Sequence, residues 1–219
     1  MKKLYTSLNI NKVIHNPIDK RFVKAADTVS IVREQNNSRI VENAIWWLLL
    51  EQTDAGFKPS KYTSFNTRYD KLNTPRSAGY QAYRHSRCVF VVKGFGETEF
   101  NNKKPMHYFD IQAEHGGLLL GGLSRGWLNN QTGEIITSCS IITLPPHKKL
   151  GHIHSKSMPL ILPQNESIIN NWLDTTVNSV EQFSPLLQPY IPQNLIAQQI
   201  DKPITHHPIN KPELIVLDN

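Results

Sequence analysis

Long apolar runs are missing from this chain. The longest, residues 44–50, has seven residues, where a membrane-spanning helix needs about 20. The basic start Met1-Lys2-Lys3 leads into no apolar signal-peptide core, so a cytoplasmic protein with no membrane partner is expected. Cysteine is scarce as well. Cys88 and Cys139 are the only two; they provide no disulfide framework and no zinc-ligand spacing, and they read as small buried hydrophobes at home in a reducing compartment. No repeat or low-complexity block is present. Acidic residues are nearly absent from one stretch: residues 58–93 hold eight basic side chains against Asp70 alone, which accounts for the surplus behind a net charge of +6.

What is there is enough apolar residue, 39% of 219, to bury one sizeable core. The basic stretch is interleaved with Tyr62, Phe65, Tyr69, Tyr80 and Tyr83, a mixture suited to neutralising phosphates and stacking bases. It is equally compatible with a solvated charged face over core aromatics. Residues 88–92 are continuously apolar and rich in β-branched types, predicting a strand buried on both faces. Gly94 and Gly96 are expected to break it into a turn, leaving Glu97 on rigid support where a catalytic carboxylate is useful. An exposed loop glutamate is the plainer alternative.

In chain order, the pattern predicts a helix over residues 2–10, a strand near the end of 22–33, and a buried strand reaching through Trp46 and Trp47 to Leu50. The two indoles should point to opposite faces. Residues 56–62 read as loop and 78–85 as a short helix. Residues 106–111, 118–123 and 135–144 read as strands, and 165–178 as a helix. Beyond Phe183, six of the 14 prolines fall in 36 residues, predicting an extended wrap over 184–219 that ends in a short strand at 214–217. The expected fold is α+β: a single domain over residues 1–219, mostly short strands around a mixed sheet or barrel-like core, with a few helices.

Chemistry-bearing residues occur in ordered blocks: Phe65-Asn66-Thr67-Arg68-Tyr69-Asp70; Arg87-Cys88 followed by Gly94-Phe95-Gly96-Glu97; Ile142-Thr143; and Ile153-His154 followed by Met158-Pro159-Leu160-Ile161-Leu162. Taken singly, Asn66 and Asp70 could cap a turn, His154 could be a core histidine, and 158–162 could be only a strand. His152 and His154 have the spacing of two metal ligands on one strand face, and His206-His207 add imidazoles. No cysteine or acidic group accompanies them at ligand spacing, so neither metal nor cofactor is expected.

Together the blocks resemble the SOS response-associated peptidase (SRAP) family, whose patterns are N-A-R-x-E, R-C-x-x-P-x-D-G-F-Y-E-W and I-H-x-R-M-P-x-I-L. The resemblance runs from about residue 22 to the end, where 208–216 fits the family's P-V…E-L-I ending. It implies processing of abasic sites in single-stranded DNA by a monomer, through a covalent DNA–protein crosslink made by an N-terminal cysteine that autoproteolytic removal of Met exposes. By the same resemblance, Asn66 positions the sugar, Glu97 shuttles protons and His154 is the second acid–base group. Arg68 and Arg87 hold flanking phosphates, Thr143 lines the site, and Trp46 or Trp47 stacks on a base.

Several positions depart from the pattern. Asp70 replaces Glu, Val91 replaces Pro, Gly96 and Thr98 replace aromatics, one extra residue precedes Met158, and Lys156 or Arg84 stands in for a missing basic contact. Where the family begins Met-Cys-Gly-Arg, this sequence begins Met1-Lys2-Lys3-Leu4. The expectation is that Met1 is an internal methionine and that the protein starts roughly 15–20 residues earlier, about a turn plus half a helix. A non-catalytic binder of single-stranded DNA or strand junctions on the same fold is the alternative.

Overall fold

Residues 2–219 are described by a computed structural model. The chain opens with α1 (Lys2–Ser7), shorter than the stripe over 2–10, and β1 (Lys12–Val13). A hairpin follows, β2 (Thr28–Gln35) and β3 (Ser38–Ile45). Its two-residue turn puts Asn36 and Asn37 at φ 51° and 57°, the left-handed conformation that asparagine tolerates and that matches strand twist. Next come β4 (Leu50–Thr53) and β5 (Gly56–Pro59), a small hairpin where a loop was expected, then β6 (Asn66–Arg68) and α2 (Tyr80–His85).

The long strands are β7 (Arg87–Val92), β8 (Gly94–Asn101), β9 (Lys104–Ala113), β10 (Leu118–Leu128) and β11 (Ile135–Leu144). The remainder is β12 (Met158–Pro159), α3 (Glu166–Leu173), a 3-10 segment Val180–Leu187, β13 (Leu195–Ile200) and β14 (Glu213–Ile215).

Pairing in the order β3-β2-β7-β10-β11 closes on itself where Ser138 of β11 meets Ile45 of β3. A five-stranded barrel-like core results, agreeing with the expected α+β class. Five of the six residues of β7 are buried, because one face looks into this core and α3 covers the other, with Trp172 Nε1 donating to the Cys88 carbonyl at 3.0 Å. Gly122 of β10 is required at this point: a Cβ there would run into the Phe90 ring and lie 2.7 Å from the Ser140 carbonyl. α3 itself starts on an Asn165 cap, whose side chain accepts from the Ile168 N–H, and ends at Leu173, short of residue 178.

A second sheet, β14-β13-β9-β8, lies off the barrel path. The chain enters it at Lys93 and leaves it through residues 114–117. The expected extended wrap over 184–219 thus supplies two strands of this sheet. Its end is clasped: Lys149 Nζ donates to the Val216 and Leu217 carbonyls at 2.8 and 3.0 Å and to Asp218 Oδ1 at 2.7 Å, while His147 Nε2 lies 3.0 Å from Asp218 Oδ2. The tail therefore pins residues 147–149, just ahead of the segment bearing His154.

Candidate active site

Strand alternation places Phe95, Glu97 and Glu99 of β8 on one face, with Glu97 opposite Phe109 and Glu99 opposite His107 of β9. The glycine turn expected here is absent. Gly94 is the first residue of the strand, and it is glycine because a Cβ would collide with the Ile111 carbonyl of β9. Glu97 consequently stands on a paired strand, a stiffer mount than a loop.

His154 reaches the same face from a turn, since residues 151–153 follow a 3-10 segment, Lys148–Leu150, instead of forming the expected strand. Ile153 is fully buried and its carbonyl accepts from His107 Nε2 at 3.0 Å. On the other side of His154, Ser155 donates its N–H and hydroxyl to the Glu99 carboxylate at 2.9 and 2.8 Å. Gripped at both neighbours, the imidazole sits with Nε2 3.8 Å from Glu97 Oε2 and Nδ1 3.3 Å from Glu99 Oε2. Nδ1 is buried and makes no aligned hydrogen bond.

Burial pushes the Glu97 carboxyl up to about 8, and the neighbouring Glu99 charge adds to the rise. Burial also pushes His154 below its ordinary value, against the pull of Glu99. Glu99, by contrast, is held low by the Ser155 N–H and hydroxyl. Two carboxylates flank the imidazole, yet its desolvation wins because Glu97 is itself neutral near pH 7 and lends it little charge. The outcome is a neutral carboxylic acid facing a neutral imidazole. Such a pair can give a proton from one atom and take one at another.

The other expected residues divide into two groups. β6 pairs in parallel with β11, setting Asn66 opposite Ile141 and Arg68 opposite Thr143. Asn66 is exposed and, among the described residues, its side chain has no hydrogen-bond partner. Arg68 is 70% exposed and held as a fork by Asp70, at 3.0 and 2.8 Å. Thr143 lies on the strand that runs into the 145–157 segment carrying His154. None of these three bonds directly to Glu97 or His154.

Trp46 and Trp47 lie past the end of β3, so strand alternation does not separate them. Both pack on Phe65, with ring centroids 5.9 and 5.6 Å away, and their indole N–H groups donate to the Phe65 and Tyr62 carbonyls. They are half-buried beside the exposed Tyr62.

Arg87 faces the other way. It is 2% exposed, its guanidinium donates to the carbonyls of Trp172, Tyr83, Arg84, Asp174 and Val177, and it lies over the Phe183 ring at 4.6 Å. A strand of DNA does not reach it in this fold, so the phosphate role expected for Arg87 gives way to a structural one. Arg84 is similarly occupied by the Leu72 and Tyr80 carbonyls and the Asn73 side chain; Lys156 remains exposed. His152 pairs with Glu213 and His206 with Asp110, and no group of three or more potential ligands among the described residues could hold a metal. Sequence reasoning missed Glu99, Ser155 and His107. The Glu97-Thr98-Glu99 spacing was the available signal, legible once 94–101 is recognised as a strand.

A family model for "SOS response associated peptidase (SRAP)" matches residues 7–207. The chain belongs to this family. An SRAP relative, the abasic site processing protein YoqW of Bacillus subtilis (strain 168), is 27% identical over 188 residues, covering 85% of this chain and 80% of the relative. The abasic site processing protein HMCES of Pongo abelii is 25% identical over 225 residues, covering 89% of this chain and 59% of that longer protein. Among solved structures, a protein from Bordetella bronchiseptica superposes with a TM-score of 0.69 at 18% identity, over 92% of this chain and 95% of that one. At that identity the likeness speaks for the SRAP fold alone.

Proposed function

We propose that this protein processes abasic sites in single-stranded DNA by joining itself covalently to the ring-opened sugar, acting as a cytoplasmic monomer. The observation that carries this reading is the opposed pair of neutral groups, Glu97 and His154, 3.8 Å apart. The names of the SRAP relatives supply the substrate class. An abasic deoxyribose is a cyclic hemiacetal. Opening it removes the proton from the C1′ hydroxyl, breaks the C1′–O4′ bond and delivers a proton to O4′. His154 takes the first proton and Glu97 gives the second. An amine then adds to the aldehyde and its proton passes to the new alkoxide; His154 returns its proton to Glu97, Glu97 gives it to the departing hydroxyl as water leaves, and His154 takes the iminium N–H proton, leaving an imine.

Cys88 and Cys139 do not supply the attacking group: both are fully buried and burial pushes both thiols far up. We assign the attack to the protein's amino terminus. Its amine has a pKa of about 7.7–8.0 and is partly neutral near pH 7. A terminal residue carrying a thiol closes the imine into a stable ring; one without it leaves a reducible Schiff base. Asn66 orients the sugar, Arg68 and Lys156 neutralise phosphates, Thr143 lines the approach, and the exposed parts of Trp46 and Trp47 offer faces for a base.

The test is incubation with a single-stranded oligonucleotide bearing one abasic site, with and without borohydride, followed by a denaturing gel. A shifted band that needs the abasic site is expected. A strand bound but never linked or cut, with or without borohydride, would leave the non-catalytic DNA binder as the better account.

A further inference from the structure

We propose that a cavity of about 430 Å³ between α2, residues 76–78 and β10 is a phosphate-binding pocket, distinct from the Glu97–His154 pair. Its wall includes Arg76, Gln81, His85, Ser86 and Arg125, and no carboxylate. The arginines are the telling feature. Of eight in the chain, Arg33, Arg39, Arg68, Arg84 and Arg87 are each hydrogen-bonded within the fold. Arg21, Arg76 and Arg125 have no hydrogen-bond or ion-pair partner among the described residues, and two of these three face the same cavity.

Arg125 is also pre-aimed. Its guanidinium lies over the Trp127 ring at 4.1 Å, and that indole is fixed by its N–H donation to Ser138 Oγ at 2.8 Å and by Phe57 packed against it. A planar fork stacked on a ring by its face keeps the N–H donors at its edges free for a ligand. Two forks from separate elements, lining one cavity together with an imidazole and serines, suit an acceptor that has oxygens on several sides. A phosphate fits that demand better than a carboxylate, which a single fork satisfies.

β6 lies one residue behind the pocket's lining. Gly79, next to the lining residues Ser77 and Ala78, packs so closely on Thr67 that a Cβ would lie 2.6 Å from its methyl carbon, and Thr67 stands between Asn66 and Arg68. The phosphate belongs either to the DNA strand that passes β6, which rests on the function proposed above, or to a free nucleotide, and the experiment separates the two.

The experiment compares wild type, R76Q/R125Q and R76K/R125K. Both arginines are exposed and free of internal bonds, so matching urea midpoints are expected. Binding of unmodified oligo-dT is followed by fluorescence anisotropy across salt concentrations, and inorganic phosphate and deoxyadenosine monophosphate are titrated while the His85 imidazole is observed by NMR. If the strand is the source, R76Q/R125Q reduces the slope of log K against log salt by about 0.7, the share of the one single-strand phosphate the pocket holds, and the lysine pair restores most of it. If a free nucleotide is the source, the slope stays put, while deoxyadenosine monophosphate or phosphate shifts His85 in wild type and not in R76Q/R125Q. An unchanged slope together with an unmoved His85 overturns the pocket. Failure of wild type to react with abasic DNA, with either positive result intact, refutes the proposed function and leaves the pocket standing.

Discussion

Replacing Glu97 by Gln should make the protein more stable, and more so as the pH rises. An unfolded glutamate ionises near 4.5, whereas the native Glu97 carboxyl holds its proton to about 8. Between those values the native state binds more protons than the unfolded state, so wild-type stability falls as pH rises through the window and levels off above it. The slope is about 1.36 kcal/mol per pH unit, which over the full window sums to about 5 kcal/mol. The side chain is 19% exposed, and water reaching it screens part of that, leaving roughly 2–4 kcal/mol. Glutamine has the same shape and no charge, so the variant should match wild type near pH 5 and exceed it by that amount at pH 8.5. Urea denaturation of both proteins across pH 4.5–9 measures the difference, in which groups common to both, His154 included, largely cancel. A difference that stays constant across the window would refute the reasoning: Glu97 would then ionise as an ordinary surface carboxylate and could not serve as the acid.

Arg87→Ala should cost about 3–5 kcal/mol of folding stability, because it strips five buried carbonyls of their donor; loss of DNA affinity at unchanged stability would contradict its structural role. Arg68→Ala should weaken single-stranded DNA binding by about 1–3 kcal/mol, the worth of one charge-assisted contact, and the effect should shrink at high salt; a salt-independent loss would point to a role other than phosphate contact.

Most of the barrel was legible because its strands are long and buried on one or both faces: β7 and β11 stand out as apolar, β-branched runs. The errors cluster where glycine or tryptophan was read by local rules alone. Gly94 signals a turn in isolation, but it answers a tertiary contact with the Ile111 carbonyl. Trp46 and Trp47 continue an apolar run, yet β3 ends at Ile45 and Trp47 N–H turns back to the Ile45 carbonyl at 2.7 Å. Glu97 and His154 were legible as candidates through the family blocks, whereas nothing local joins Glu99 to Ser155 across 56 residues. Arg87 shows the reverse limit. A cationic residue beside a basic stretch suggests DNA, and only the packing of α2, α3 and the following turn reveals five carbonyls converging on it.

The most direct test of the central claim is the single-turnover rate of covalent capture of an abasic single strand, measured from pH 6 to 9.5 for wild type and Glu97→Gln. Wild type should rise as the attacking amine loses its proton, then fall as pH passes about 8, where Glu97 ionises. The variant should react about 10²-fold more slowly and lack the falling limb. A variant that captures the abasic strand at the wild-type rate, with the same profile, would contradict the account.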